Sequence, residues 1–342
     1  MLYHYILCAF ITLFYIMEPA YNPVTQWEGH HFAFSYQPCT QTEPRRKDRS
    51  NVHGSHRAVG AAAGLAMSYR FEPGRIYRMP THFGPSVSPR QPPTAKEYDW
   101  SASECLSVSV TLPVDRDGLE GLLPPGFALL GAPELCLTFS YLTNLPWLAG
   151  RGYNTLGVTV PVRYCDAHVG SLMLVLWENM ADPILTGREE LGMPKIFCDL
   201  PAARRTGATI DCTAEWHGFR FLNLTVSSLH ESLDTALPDP ATLPTRGQLL
   251  HYRHLPAVGD WGRVSVAEVT LTPPARGDAV LAVETGMARI DWHVPRWEDM
   301  PTQSEIVNRL ASICVADNGC GEILVTRGGA YEHRDQQVVA RL

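Results

Sequence analysis

From about residue 100 onward, runs of alternating apolar and polar residues recur at short intervals, and this constrains the fold more than any other feature of the chain. Leu106–Val114 alternates at period two, the spacing that sends every second side chain to one face of a strand. Leu135–Leu142 and Gly157–Tyr164 read as further strands. Ser171–Trp177 is nearly continuously apolar, as expected of a strand covered on both faces. Thr209–Trp216 and Phe219–Ser227 flank His217-Gly218 and read as a hairpin. Arg263–Leu271 and Ala279–Glu284 continue the series. Helical signals are few. Leu119–Leu123 is a short piece ended by Pro124-Pro125-Gly126. Ser304–Ile313 has Ser304 as a cap residue and Ile306, Leu310 and Ile313 on one face. No repeat of roughly 20–50 residues is present. The expected fold is mainly β: an antiparallel barrel or sandwich with a few short helices, in one domain over residues 100–330.

The flanks differ in character. Residues 1–70 read as a disordered leader, with a basic patch at Arg45-Arg46-Lys47-Asp48-Arg49 and a small-residue run, Val59–Ala66. Residues 71–99, rich in proline, read as an extended arm, and residues 331–342 as a C-terminal tail. The apolar run Tyr5–Met17 falls short of the roughly 20 residues that span a bilayer. It has the length of a signal-peptide core, but no Lys or Arg precedes it. A cytoplasmic protein is expected, with a secretory or anchored one as the alternative. The net charge of −7 argues against a nucleic-acid partner. No membrane partner is expected. Nine cysteines, none in a C-x-x-C pair, read as free thiols in a reducing compartment.

Lys and Arg total 28, yet only Lys47, Lys96 and Lys195 are lysines. Lys195 alone falls in the predicted domain, bracketed by Leu191, Met193, Ile196 and Phe197. Burial disfavours an ammonium ion, so its pKa is expected to fall. A neutral amine attacks a ketone carbonyl to form an imine. The alternative is a lysine whose head reaches water. Just upstream, Glu189 and Glu190 read either as proton carriers or as partners of Arg188 in a turn. Glu178 and Asp182 read as solvated loop residues, with support of the same turn as the alternative. His251-x-x-His254 has ligand spacing only on a helix, and its surroundings are extended, so no metal is expected. There is no G-x-S-x-G elbow and no glycine-rich phosphate loop.

Gly187-Arg188-Glu189, four residues, then Pro194-Lys195 resembles the active-site signature of the acetoacetate decarboxylase family, in which a charge-crowded, desolvated lysine forms the imine. Tyr77-Arg78-Met79-Pro80, Ser107–Pro124, Tyr153–Pro161, and Asp299-Met300-Pro301 with Ile306-Val307 extend the resemblance over about residues 75–328. The resemblance implies that Lys195 is the imine former. It makes Arg188 and Glu189 supporting or proton-transfer groups, and Thr138, Thr155, Met193, Ile196 and Phe197 pocket residues. It further implies a homo-oligomer that needs no cofactor. The family's second lysine is Ile196 here. Its catalytic glutamate falls on Thr155, a second pocket glutamate near Thr138, and its pocket arginine near Cys105. The expectation is a Schiff-base decarboxylase of a β-keto acid, either acetoacetate or a larger, more apolar one. One alternative is an imine-dependent aldolase, dehydratase or cyclase on a larger keto compound. Another is a non-catalytic small-molecule-binding β-barrel.

Overall fold

The computed structural model describes Ser88, Gln91 and residues 97–231, 247–260, 262–274, 276–330 and 336–342. The leader, the apolar run at its start and nearly all of the proline-rich arm lie outside the described residues. In chain order the elements are β1 (Glu104–Pro113), α1 (Arg116–Glu120), β2 (Phe127–Leu129), β3 (Glu134–Leu145), β4 (Arg151–Tyr164), β5 (His168–Glu178), α2 (Ala181–Thr186), β6 (Lys195–Phe197), β7 (Arg204–Thr206), β8 (Thr209–Trp216), β9 (Phe219–Glu231), β10 (Leu249–Pro256), β11 (Val264–Thr272), β12 (Arg276–Trp292), α3 (Ser304–Ile313), β13 (Asn318–Ala330) and β14 (Gln337–Arg341). The segment read as a tail therefore contributes a strand.

All strands among the described residues join one sheet, in the order β14-β11-β10-β5-β4-β3-β1-β13-β12-β9-β8-β7, with β2 beside β4 and β6 beside β5. The barrel expectation is corrected here. The path has two ends, β14 and β7, and the sheet is open. Its edges need no closure. The β7 edge is three residues long, exposed and carries Arg204 and Arg205, and short charged edges resist pairing with other chains. The sheet is mainly antiparallel, with two short parallel contacts, β5 with β6 and β5 with β10.

The sheet folds back over its own apolar face. Trp177 on β5 and Phe221 on β9 are remote in strand order, yet their ring centroids are 5.3 Å apart. One core cluster unites Val108, Phe139, Val158, Leu224, Ile290 and Leu310 from β1, β3, β4, β9, β12 and α3. Each such side chain contributes about 1.5–3 kcal/mol on full burial. On α3, Val307, Leu310 and Ile313 are buried. The capping expectation for Ser304 fails: Gln303 is the N-cap and makes no side-chain cap bond. Its amide is used elsewhere. Trp177 Nε1 donates to Gln303 Oε1 at 2.6 Å, and Gln303 Nε2 donates to the Phe197 carbonyl at 2.8 Å. A buried glutamine thus ties β5 to β6.

Alternation has a second consequence. On β4, Leu156, Val158, Val160 and Val162 enter the core, whereas Tyr153, Thr155, Gly157 and Thr159 line a cavity. On β3, Leu137 and Phe139 face the core, and Thr138, Ser140 and Leu142 the cavity. On β5 a bulge opposite Val158 and Thr159 shifts the parity. Met173, Leu176 and Glu178 then line the cavity while Val175 and Trp177 stay in the core.

Candidate active site

The cavity has a volume of about 250 Å³, near the lower end of the roughly 300–1,000 Å³ common for small-molecule sites. Lys195 lines it and is 3 % exposed. Parallel pairing of β6 with β5 sets Lys195 opposite Leu176 and Phe197 opposite Glu178. Across this pairing Lys195 Nζ lies 2.8 Å from Glu178 Oε1, with Glu178 1 % exposed. Lys195 Nζ also donates to the Pro183 carbonyl at 3.1 Å. The reading of Glu178 as a solvated loop residue is thereby corrected. Glu178 closes the apolar run of β5, and the turn after it begins one residue later than the composition implied.

The segment between the two strands explains its own sequence. The helix α2 runs into a wider π-type turn over Gly187–Leu191, an irregularity often associated with functional sites. Gly192, at φ 76°, ends this turn in the left-handed conformation that suits glycine. Gly187 has an ordinary helical φ; its constraint is space. A methyl group there would lie 2.2 Å from Lys195 Cδ and 2.3 Å from Cε, so the lysine stem lies directly over the glycine. Arg188 NH1 donates to the Lys195 carbonyl at 2.9 Å. The Met193 N–H donates to the Gly187 carbonyl at 2.9 Å. The glycine and arginine of the motif thus both serve the placement of the lysine.

Other elements pin the turn from outside. Ser88 Oγ donates to Glu190 Oε2 at 2.6 Å, and Arg253 NH2 to the Glu189 carbonyl at 2.8 Å. The Leu191 carbonyl accepts from Thr270 Oγ1 at 3.1 Å and from Gln336 Nε2 at 2.6 Å. Gln336 Oε1 in turn accepts from Thr272 Oγ1, which lies 2.8 Å from His251 Nε2. Because the Thr272 proton is directed to Gln336, His251 donates through Nε2, and its buried Nδ1 carries no proton and has no partner among the described residues. Burial, and secondarily the Lys195 charge, push this imidazole down to about 3, so it is neutral. His254 is exposed on the same strand. An odd separation along a strand sends two side chains to opposite faces.

The expected pocket residues separate into two groups. Thr138, Thr155 and Met193 line the cavity, as does Cys105. Ile196 instead packs against the core, and Phe197 is 38 % exposed. Neither they nor Arg188 nor Glu189 line the cavity. Among the described lining residues Lys195 is the only cation, and its charge is matched by Glu178. Such a site can hold a small carbonyl compound against an amine that has an adjacent acid–base partner.

A family model described as acetoacetate decarboxylase (ADC) matches residues 78–320. No curated protein matches the chain. Among solved structures, an acetoacetate decarboxylase from Legionella pneumophila is 18 % identical, with a TM-score of 0.56, over 73 % of this chain and 92 % of that one. The enduracididine biosynthesis enzyme MppR, complexed with the condensation product of pyruvate and imidazole 4-carboxaldehyde, is 15 % identical, with a TM-score of 0.57, over 79 % of this chain and 98 % of that one. At these identities the likeness is one of fold.

Proposed function

The chain belongs to the acetoacetate decarboxylase family, and from that premise we propose that it is a Schiff-base enzyme that decarboxylates a β-keto acid through Lys195. The observation that carries this reading is the buried amine in the cavity, 2.8 Å from a buried carboxylate. Transfer of a proton from the ammonium to Glu178 leaves a neutral amine and a neutral acid, a pair that a low-dielectric site tolerates well. The amine attacks the ketone carbon, and Glu178 returns its proton as water leaves the carbinolamine. The product is an iminium ion, so positive charge again stands opposite the Glu178 carboxylate. The carbon–carboxylate bond then breaks, its electron pair moves into the enamine, and carbon dioxide departs. Water protonates the enamine carbon and hydrolyses the imine, which releases the ketone and the neutral amine, and one proton from solvent restores the ammonium–carboxylate pair.

Glu178 takes the proton-transfer part that the sequence suggested for Glu189, since Glu178 reaches the amine. Arg188 acts through the Lys195 backbone and is a positioning residue. With Ile196 in place of a second lysine, desolvation by the core around β5 and β6 is left to oppose the ammonium, against the Glu178 carboxylate that holds it charged in the resting pair.

A second reading keeps the imine and directs the enamine to an aldol or dehydration step. The cavity favours it in one respect: the threonines at positions 138 and 155 offer hydroxyls rather than carboxylates, and such groups can hold a second carbonyl partner. The MppR structure holds a condensation product of pyruvate with an aldehyde, although that likeness carries the fold alone.

The test is reductive trapping. Protein is incubated with acetoacetate and with longer β-keto acids, reduced with borohydride and mapped by mass spectrometry. The expected result is an adduct on Lys195, absent from Lys195→Ala, with carbon dioxide released in unreduced samples. Adduct without carbon dioxide selects the second reading. Absence of any adduct on folded protein removes both and favours a non-catalytic binding role.

A further inference from the structure

The register of the sheet places one row of residues directly across five strands on the cavity side. Glu178 on β5 pairs with Thr155 on β4, Thr155 with Ser140 on β3, Ser140 with Ser107 on β1, and Ser107 with Leu324 on β13. All five line the cavity. The row therefore begins at the carboxylate that pairs with Lys195, continues through three hydroxyls and ends on a leucine. Strands lie roughly 4.8 Å apart, so the hydroxyl nearest the far end stands about 14 Å from the start of the row. Ser107 and Ser140 Oγ are 3.4 Å apart, and the neighbouring Thr138 donates to Ser109 at 3.2 Å.

This is an unusual inner face for a sheet whose other face is aliphatic. A hydroxyl taken out of water needs a hydrogen-bond partner. The charge pattern is as restrictive as the hydroxyls. Lys195 is already opposed by Glu178. Of the other charged residues lining the cavity, Glu104 is bonded to Arg327, and Asp278 adds another carboxylate. The reacting carboxylate of a keto acid has the iminium as its counter-charge. A second carboxylate along the tail would find no cation among the described lining residues, and an unpaired buried charge is strongly disfavoured.

We propose that the carbonyl substrate carries an extended, uncharged, oxygen-bearing tail, with hydroxyl or keto oxygens spaced along a linear chain, laid over Thr155, Ser140 and Ser107. This names the substrate class of the imine site and rests on the imine reading. An all-carbon tail would take three hydroxyls out of water with only the contacts of Ser107 to Ser140 and Cys105 to compensate, and an anionic tail would lack a counter-charge.

The experiment compares three methyl ketones of matched chain length: one hydroxylated along its tail, one plain alkyl, and one ending in a carboxylate. Borohydride-trapped adduct on Lys195 is measured against ketone concentration. The expected outcome is half-maximal trapping of the hydroxylated ketone at a concentration at least tenfold below either of the others. The Ser107→Ala/Ser140→Ala double variant should reduce that preference at least threefold. Equal or better trapping of the alkyl or carboxylate ketone overturns the proposal and leaves the imine reading standing. A preference that survives the double variant also overturns it. No adduct with any of the three, on protein with an unchanged melting temperature, removes the imine reading and this inference with it.

Discussion

Replacing Lys195 by methionine tests the buried ion pair by stability alone, without knowledge of the substrate. At 2.8 Å and an effective dielectric near 20, two unit charges attract by about 6 kcal/mol. Desolvation of each ion costs several kcal/mol, so the net worth of the intact pair is near zero. The single variant is different, because it strands the carboxylate of Glu178, which is 1 % exposed. Breaking such a pair costs about 3–5 kcal/mol. For a domain of this size that corresponds to a fall in melting temperature of about 6–20 °C. Lys195→Met/Glu178→Leu removes both charges, and its stability should return to within about 1 kcal/mol of wild type or exceed it. The assay is urea unfolding at neutral pH, followed by tryptophan fluorescence, for the wild type, both single variants and the double. The refuting result is additivity: if the double variant loses the sum of the two single losses, the groups are uncoupled and Glu178 is not the partner of the amine.

Three other outcomes are expected. Gly187→Ala should lower kcat by about 100-fold through displacement of the lysine stem at a cost of about 1–3 kcal/mol in stability, measurable by steady-state kinetics once a substrate is trapped and by thermal melting. Gln303→Leu leaves Trp177 Nε1 without its acceptor and the part-buried Phe197 carbonyl without its donor; unfolding should show a loss of about 1–3 kcal/mol, chiefly from the buried indole N–H. For His251 the folded pKa, about 3, lies below the ordinary imidazole value of 6.5. The unfolded chain therefore binds the extra proton, and the stability this group contributes is full above pH 6.5 and falls as the pH is lowered towards 3. The slope is about 1.4 kcal/mol per pH unit, so His251→Gln should lose about 2 kcal/mol less than wild type between pH 6.5 and 5 in urea titrations.

Much of this molecule was legible along the chain because periodicity is a local property. The alternation of Gly157–Tyr164 reported which residues face a core, and it placed β4 without any knowledge of its neighbours. The scarcity of lysine singled out Lys195, and the glycine and arginine at positions 187 and 188 marked the segment that holds it. Cap chemistry was less legible. Ser304 suited the start of α3 by type, but Gln303 precedes it and is engaged by Trp177, whose proximity no local pattern reveals.

What only the tertiary structure decided follows from strand pairing between distant segments. Glu178 and Lys195 are far enough apart in sequence to have read as unrelated, and they meet because β6 doubles back parallel to β5. The hydroxyl row is likewise invisible in any one strand, where a serine or threonine at an alternate position reads only as the polar face. Register across five strands aligns these residues and leads them to the carboxylate. Closure is the remaining case. Whether the sheet ends or joins itself depends on the pairing of β14 and β7, the two edges, and no alternation within a strand carries that information. Periodicity determines which side of a strand is buried; the hydrogen bonds between strands, made over long loops, determine what that side faces.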